Sequence, residues 1–189
     1  MNLALILLAA GNSRRFKSNK LLYEIDESPM YLHIVKEIEK LPGDTFVSKI
    51  IVTQYPQIEQ EMKKRGYRTI RNAHSEWGIS HSIKLGITAL CSENNIVGGI
   101  CFAVCDQPFL TAQTITALIQ TWTTGQKGIA CLKYKEHTGN PVIFHWKYKD
   151  ELLGLEGDTG GKKVLNRHKQ EAVYCEITDG RELEDMDFQ

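Results

Sequence analysis

The sequence has no excess of either charge. Its 23 basic residues are matched by 23 acidic ones, which argues against a general binder of nucleic acid or of a charged membrane surface. Any anion site must therefore be local. No CxxC pair occurs among the five cysteines (Cys91, Cys101, Cys105, Cys131, Cys175), and no HxxxH or HxH group among the six histidines. Without zinc spacing, an odd cysteine count reads as reduced, mostly buried thiols in a cytoplasmic protein. The N-terminus has no leading basic region, and its apolar run is too short for a membrane-spanning helix. Neither GxGxxG after the first apolar run nor GxxxxGK[ST] is present, which excludes the two best-known nucleotide loops. Repeats, low-complexity tracts and linkers are missing as well.

What is there is organised around Leu3 to Leu22. The apolar run Leu3 to Ala9 has the pattern of a strand buried on both faces. It breaks into Ala10-Gly11-Asn12-Ser13-Arg14-Arg15, and a polar segment ends at Lys20 before Leu21-Leu22. Small residues let backbone N–H groups approach an anion, and the cations offset its charge, so the loop suits a polyphosphate. An ordinary strand-to-helix turn with a solvated basic patch is the plainer alternative.

The 189 residues fit one domain, 1–189, able to bury about 70% of the surface its unfolded chain exposes. Ser28-Pro29 predicts a helix N-cap with proline at the first helical position, followed by an apolar face of Met30, Ile34, Val35, Ile38 and Leu41. Strands are expected at Lys49 to Thr53, Tyr67 to Arg71, Gly98 to Val104, Gly128 to Leu132, Val142 to Phe144 and Val173 to Ile177. Helices are expected at Gln57 to Arg65, after Ser80, after Thr111, at Lys147 to Leu155 and at Lys163 to His168. The alternation implies a three-layer α/β/α sandwich with a mostly parallel, Rossmann-like sheet.

Three further stretches carry candidate chemistry. Ser80 and Ser82 stand where a helix could begin and could bond a base or phosphate edge, or merely cap the helix. Cys105-Asp106-Gln107-Pro108 puts an acid at the carboxyl end of a buried strand, where open α/β sheets bind ligands. Beside a phosphate loop, Asp106 is a natural Mg²⁺ ligand. Gly157-Asp158-Thr159-Gly160-Gly161 either turns the chain or brings a second carboxylate to the metal.

These stretches, taken in order, resemble the molybdenum cofactor nucleotidyltransferases, the cytidylyltransferase branch in particular. Gly11, Ser13, Arg15, Lys20, Leu21 and Leu22 match the family's LAAGxSxRMGxxKLL signature. Gly78-Ile79-Ser80-His81-Ser82 with Gly86 is similar to GMSSSLRxGL, and Cys105-Asp106-Gln107-Pro108 to (G/C)DQP. Gly139-Asn140-Pro141 resembles GHP or GNP, the stretch from Gly157 to Gly161 GDxGG, and Asp185-Met186-Asp187 the start of DIDTPED. The chain departs from the family at Phe16-Lys17, where Met-Gly is usual, and lacks the TPED continuation after Asp187.

The resemblance implies transfer of CMP from CTP to the terminal phosphate of molybdopterin, with release of pyrophosphate. It implies Mg²⁺ as cofactor, with Mn²⁺ as an alternative, and a xanthine dehydrogenase-type molybdoenzyme as recipient. Ala9, Ala10, Gly11, Asn12 and Ser13 would cradle the triphosphate, and Arg15 and Lys20 would neutralise it. Asp106 and Asp158 would hold the metal, Ser80 and Ser82 would contact base or ribose, and Asn140 would position the pterin side. In this family Ala-Ala-Gly accompanies CTP and Gly-Gly accompanies GTP, so Ala9-Ala10-Gly11 favours CTP. The alternatives are a guanylyltransferase using GTP, a sugar-phosphate nucleotidyltransferase, and a non-catalytic carrier that delivers the cofactor.

Overall fold

The apolar run becomes β1 (Leu3–Ala9), an interior strand, third in the order of a seven-stranded sheet. Leu3, Leu5, Leu7 and Ala9 point into one core, Ala4 and Ile6 into the other. Alternate side chains of a strand face opposite ways, so a strand covered on both sides must be apolar throughout. The structure, a computed structural model, describes residues 2–11 and 19–186.

After β1 the chain forms a small antiparallel ribbon of β2 (Glu24–Ile25) and β3 (Ser28–Pro29), then α1 (Met30–Glu39). The expected proline at the first helical position is thus corrected. Pro29 is extended (ψ 138) and flanks the helix, while the Ser28 hydroxyl accepts from Lys36 Nζ at 2.7 Å instead of capping. The ribbon's pairing of Ile25 with Ser28 overrides the local cap signal.

Next come β4 (Ser48–Thr53), α2 (Pro56–Lys64), β5 (Arg68–Arg71), α3 (Ile79–Cys91), β6 (Gly99–Val104) and α4 (Ala112–Gly125). Thr111 caps α4 as its position predicts, its hydroxyl accepting from the Thr114 amide at 3.2 Å. The last part holds β7 (Ile129–Tyr134), β8 (His137–His145), α5 (Lys149–Leu153), α6 (Lys162–Arg167) and β9 (Ala172–Glu176).

The strand order is β5-β4-β1-β6-β8-β7-β9. Four of the neighbouring pairs are parallel; β8 runs antiparallel to both β6 and β7. The strand expected at Val142 to Phe144 is therefore longer than its apolar part. Its polar start zips against the end of β7 in a hairpin, Lys133 opposite Thr138 and Tyr134 opposite His137. Helices α1, α2 and α4 supply Ile34, Ile58 and Leu118 to one core; α3, α5 and α6 supply Ile87, Leu152 and Val164 to the other. Each such fully buried aliphatic side chain contributes about 1.5–3 kcal/mol. The three-layer α/β sandwich is what the sequence pattern predicts.

Cys101 and Cys105 lie in the same core, as their spacing of four implies. Cys91 is exposed; the other four thiols are buried and unpaired by disulfides. Burial pushes Cys101 and Cys131 up to about 12, well away from the reactive thiolate form. No described helix is long and apolar enough to cross a membrane.

Candidate active site

The strand order turns at β1: the chain passes from it to β4 on one side and later returns to β6 on the other. Ligands of open α/β sheets bind at such a switch point, outside the carboxyl ends of the strands. Leu8 pairs with Val104, and the Cys105 amide donates to Leu8 O at 3.2 Å. The loops after β1 and β6 consequently leave the sheet side by side.

A cavity of about 420 Å³ opens there. Its walls include Ala10, Gly11, Lys20, Ser82, Asp106 and Asp158 from the sequence-predicted set. Lys20 Nζ lies 2.7 Å from Asp106 Oδ2, with the two side chains 15% and 22% exposed. Lys20 is delivered by a 3₁₀ turn over Lys20–Leu22, which the Asn19 side chain caps by accepting from the Leu21 amide at 3.0 Å. The cation expected at the phosphates and the acid expected at the metal thus meet directly.

Ala9 is buried at the strand end and does not line the cavity. Asn12, Ser13 and Arg15 lie outside the described residues, as do Phe16, Lys17 and Asp187. What precedes them is firmly held. Thr53 Oγ1 donates to Ala9 O at 3.0 Å, Gln54 Nε2 to Ala10 O at 3.0 Å, and the Tyr55 hydroxyl to Gly11 O at 2.8 Å. Three successive carbonyls, each of which would repel a phosphate, are engaged by three successive side chains from the end of β4.

Asp158 reaches the cavity through an unusually close backbone approach. Gly78, just before α3, has φ +87 and ψ 178, a region essentially restricted to glycine. A Cβ there would stand 2.4 Å from Gly157 O and 2.7 Å from Asp158 N. The Ser80 amide donates to Gly157 O at 3.3 Å. The two motifs around Gly78 and Gly157, distant in sequence, form one unit.

Ser82 lines the cavity, and its hydroxyl accepts from Asn72 Nδ2 at 2.9 Å. Ser80 is buried and does not line it; its described tie is the backbone bond to Gly157. Asn140 sits on β8 and is not among the lining residues.

Several contacts and wall residues escape sequence reasoning. Gln107, 2% exposed, donates from Nε2 to Leu183 O at 3.2 Å and to Asp185 Oδ1 at 2.9 Å. The Met186 amide donates to Asp106 O at 2.9 Å, and the buried Glu182 accepts from the Thr111 amide at 3.1 Å. The acidic tail is thus a strap across the segment that carries Asp106. The cavity wall also includes Glu76 and Trp77, ahead of Gly78. The only sequence signal for them was an aromatic residue in a polar stretch beside a glycine.

Asp106 and Asp158 offer hard carboxylate oxygens, the donors Mg²⁺ takes together with phosphate oxygens. Among the described residues no group of three or more His, Cys, Asp or Glu side chains converges. A divalent ion would therefore draw much of its coordination from a bound triphosphate. That division fits the chemistry of the donors.

Known proteins resemble this chain in sequence and in fold. The pattern of the family described as "MobA-like NTP transferase domain" matches residues 5–172. A probable molybdenum cofactor guanylyltransferase of Pyrococcus horikoshii is 30% identical over 161 residues, which cover 84% of this chain and 75% of that protein. Among solved structures, a nucleotidyl transferase from Methanothermobacter aligns with TM-score 0.78 at 16% identity, covering 98% of this chain and 91% of its own. A Mycobacterium tuberculosis protein solved in complex with manganese aligns with TM-score 0.73 at 18% identity, covering 94% and 89%. These two structural matches bear on the fold. The sequence matches go further, and with them the chain belongs to the MobA-like NTP transferase family of nucleotidyltransferases.

Proposed function

We propose that this chain, as a single nucleotidyltransferase domain, transfers CMP from CTP to the terminal phosphate of molybdopterin or its molybdenum-loaded form, releasing pyrophosphate. The observation that carries the reading is the Lys20–Asp106 pair at the switch point, in one cavity with Asp158 and the entrance to the phosphate loop. The acceptor's phosphate monoester is largely dianionic near neutral pH, because its second pKa is about 6. It attacks the α-phosphorus without a general base. What the protein must supply is the joining of two anions and stabilisation of charge moving onto the leaving pyrophosphate.

Lys20 is placed to exchange Asp106 for the phosphates and to follow that charge. Asp106 and Asp158 would hold Mg²⁺, or Mn²⁺ in its place, and the ion supplies charge neutralisation and polarisation of a phosphoryl oxygen. Gly11, with Asn12, Ser13 and Arg15 after it, is assigned to the triphosphate, and Ser82 to the base or ribose. Ser80 is assigned to that contact through the loop it holds, and Asn140 to the pterin side. Ala10, which lines the cavity where Ala9 does not, narrows the strand exit more than a glycine would, which favours a pyrimidine. The recipient of the product is a xanthine dehydrogenase-type molybdoenzyme.

One observation favours a second reading. The Pyrococcus relative is described as a guanylyltransferase, so GTP is the competing donor. A single assay separates them: molybdopterin, Mg²⁺ and α-labelled CTP or GTP, following label into the cofactor. Label from CTP alone is expected, and Asp106→Ala abolishes it with the fold intact. Transfer from GTP alone assigns the guanylyl reading. Tight cofactor binding with no labelled product from either nucleotide overturns both.

A further inference from the structure

Trp77 is among the few large apolar side chains left open, at 54% exposure, and it lines the cavity. It is not loose. His74 stacks on the indole with ring centroids 4.2 Å apart and planes 8° from parallel, and His81 meets it edge-on at 4.8 Å. The backbone is fixed in a 3₁₀ turn over Ser75–Trp77, closed by the Trp77 amide donating to His74 O at 3.0 Å. An indole held in place this way and open over half its surface is a preorganised platform for a planar heterocycle.

Glu76, next to it, lines the same cavity. Its Oε1 lies 3.2 Å from His74 Nδ1. Bonds from its own backbone amide and from His74 hold its carboxyl below the usual range, so it is ionised and accepts only. A carboxylate has about four lone-pair sites, enough to serve His74 and still receive two donors.

The geometry points to a heterocycle subsite on Trp77 and Glu76, taking a ring with a 2-amino-4-oxopyrimidine edge. Such an edge offers an exocyclic N–H and a ring N–H side by side, matching the two oxygens of a carboxylate. Cytosine instead presents a ring-nitrogen acceptor beside its amino donor, and the acceptor would meet the carboxylate's negative charge. The edge is shared by pterins and guanine. The inference rests on the nucleotidyltransferase reading: with CTP as donor the occupant is the acceptor's pterin, with GTP it is either ring.

Calorimetric titration of the full chain with three separate probes tests this: 6-hydroxymethylpterin, which carries no phosphate, GTP and CTP. Trp77→Ala and Glu76→Gln are each expected to weaken pterin binding about tenfold, Trp77→Phe to restore most of it, and CTP affinity to stay within about twofold throughout. If GTP binding falls in the same variants while the pterin's is unchanged, the subsite holds and its occupant is guanine. Unchanged affinity for both pterin and GTP in both variants overturns the subsite, as does a wild-type protein that binds neither. These titrations need no turnover. A failure of the transfer assay alone therefore condemns the proposed reaction and leaves the subsite standing.

Discussion

Replacing Gly78 by alanine tests whether the loop bearing Asp158 is positioned by the backbone approach at Gly78. The substitution adds a single methyl group, and two costs follow. A residue with a side chain at φ +87 and ψ 178 pays roughly 1–3 kcal/mol of backbone strain. The new Cβ would also stand 2.4 Å from Gly157 O and 2.5 Å from Gly157 C, and both are backbone atoms that cannot swing aside. The loops must part, which removes the Ser80-to-Gly157 bond, worth about 1 kcal/mol. Together the loss is about 3 kcal/mol. Gly157→Ala is the matched control. Its φ is +60 but nothing lies within 4 Å of a Cβ there, so strain alone of about 1–2 kcal/mol is expected. Urea unfolding gives both numbers, and steady-state turnover below the unfolding transition shows whether Asp158 has moved. Gly78→Ala should lose markedly more stability than the control and most of its kcat. Equal stability losses, or wild-type turnover in Gly78→Ala, would refute the reasoning.

Lys20→Met removes the cation from Asp106 and should cut turnover about a hundredfold; steady-state rates within threefold of wild type would place the working cation elsewhere. Gln107→Leu deletes the bonds to Leu183 and Asp185 and should cost about 2 kcal/mol in urea unfolding, with a fall in kcat and little change in nucleotide affinity by calorimetry. Glu37 gives a pH prediction. Burial alone would raise its carboxyl, but hydrogen bonds from Lys40 and from the Ala112 amide at 2.9 Å outweigh it and leave it lowered. A lowered folded value means the stabilisation is present above the unfolded pKa of about 4.3 and is lost as pH falls through the folded one. Thermal melts of wild type and Glu37→Gln should therefore converge in acid and diverge above about pH 5.

Where residues act through their own local pattern, the sequence was readable. The double burial of β1 follows from an unbroken apolar run, and Thr111 caps α4 because a threonine there can. The position of Asp106 beyond the carboxyl end of β6 was legible because an acid with proline two residues on follows a buried apolar run. Legibility failed where a partner lies far away in the chain. Nothing around Gln54 announces that it will hold Ala10, and nothing in the acidic tail announces that Asp185 will meet Gln107. Ser28-Pro29 misled because a two-residue ribbon outbid a helix cap. Polar hairpin ends such as Thr138 opposite Lys133 carry no apolar alternation, so β8 read as shorter than it is.

The strap has a consequence for the order of assembly. Gln107 meets its partners across 76 and 78 residues of chain, and the Asp106 carbonyl accepts from the Met186 amide. Synthesis proceeds from the N-terminus, so the sheet positions around β1, β4 and β6 exist as polypeptide long before residues 183–186 leave the ribosome. Until they do, the segment carrying Asp106 lacks the bonds that the strap supplies. Contacts closing so long a loop form late and slowly, because their closure entropy must be met before they stabilise anything. Maturation of the acid is thereby tied to synthesis of nearly the whole described chain, and a nascent fragment ending before the strap can form the sheet around β1 without yet holding Asp106 in register.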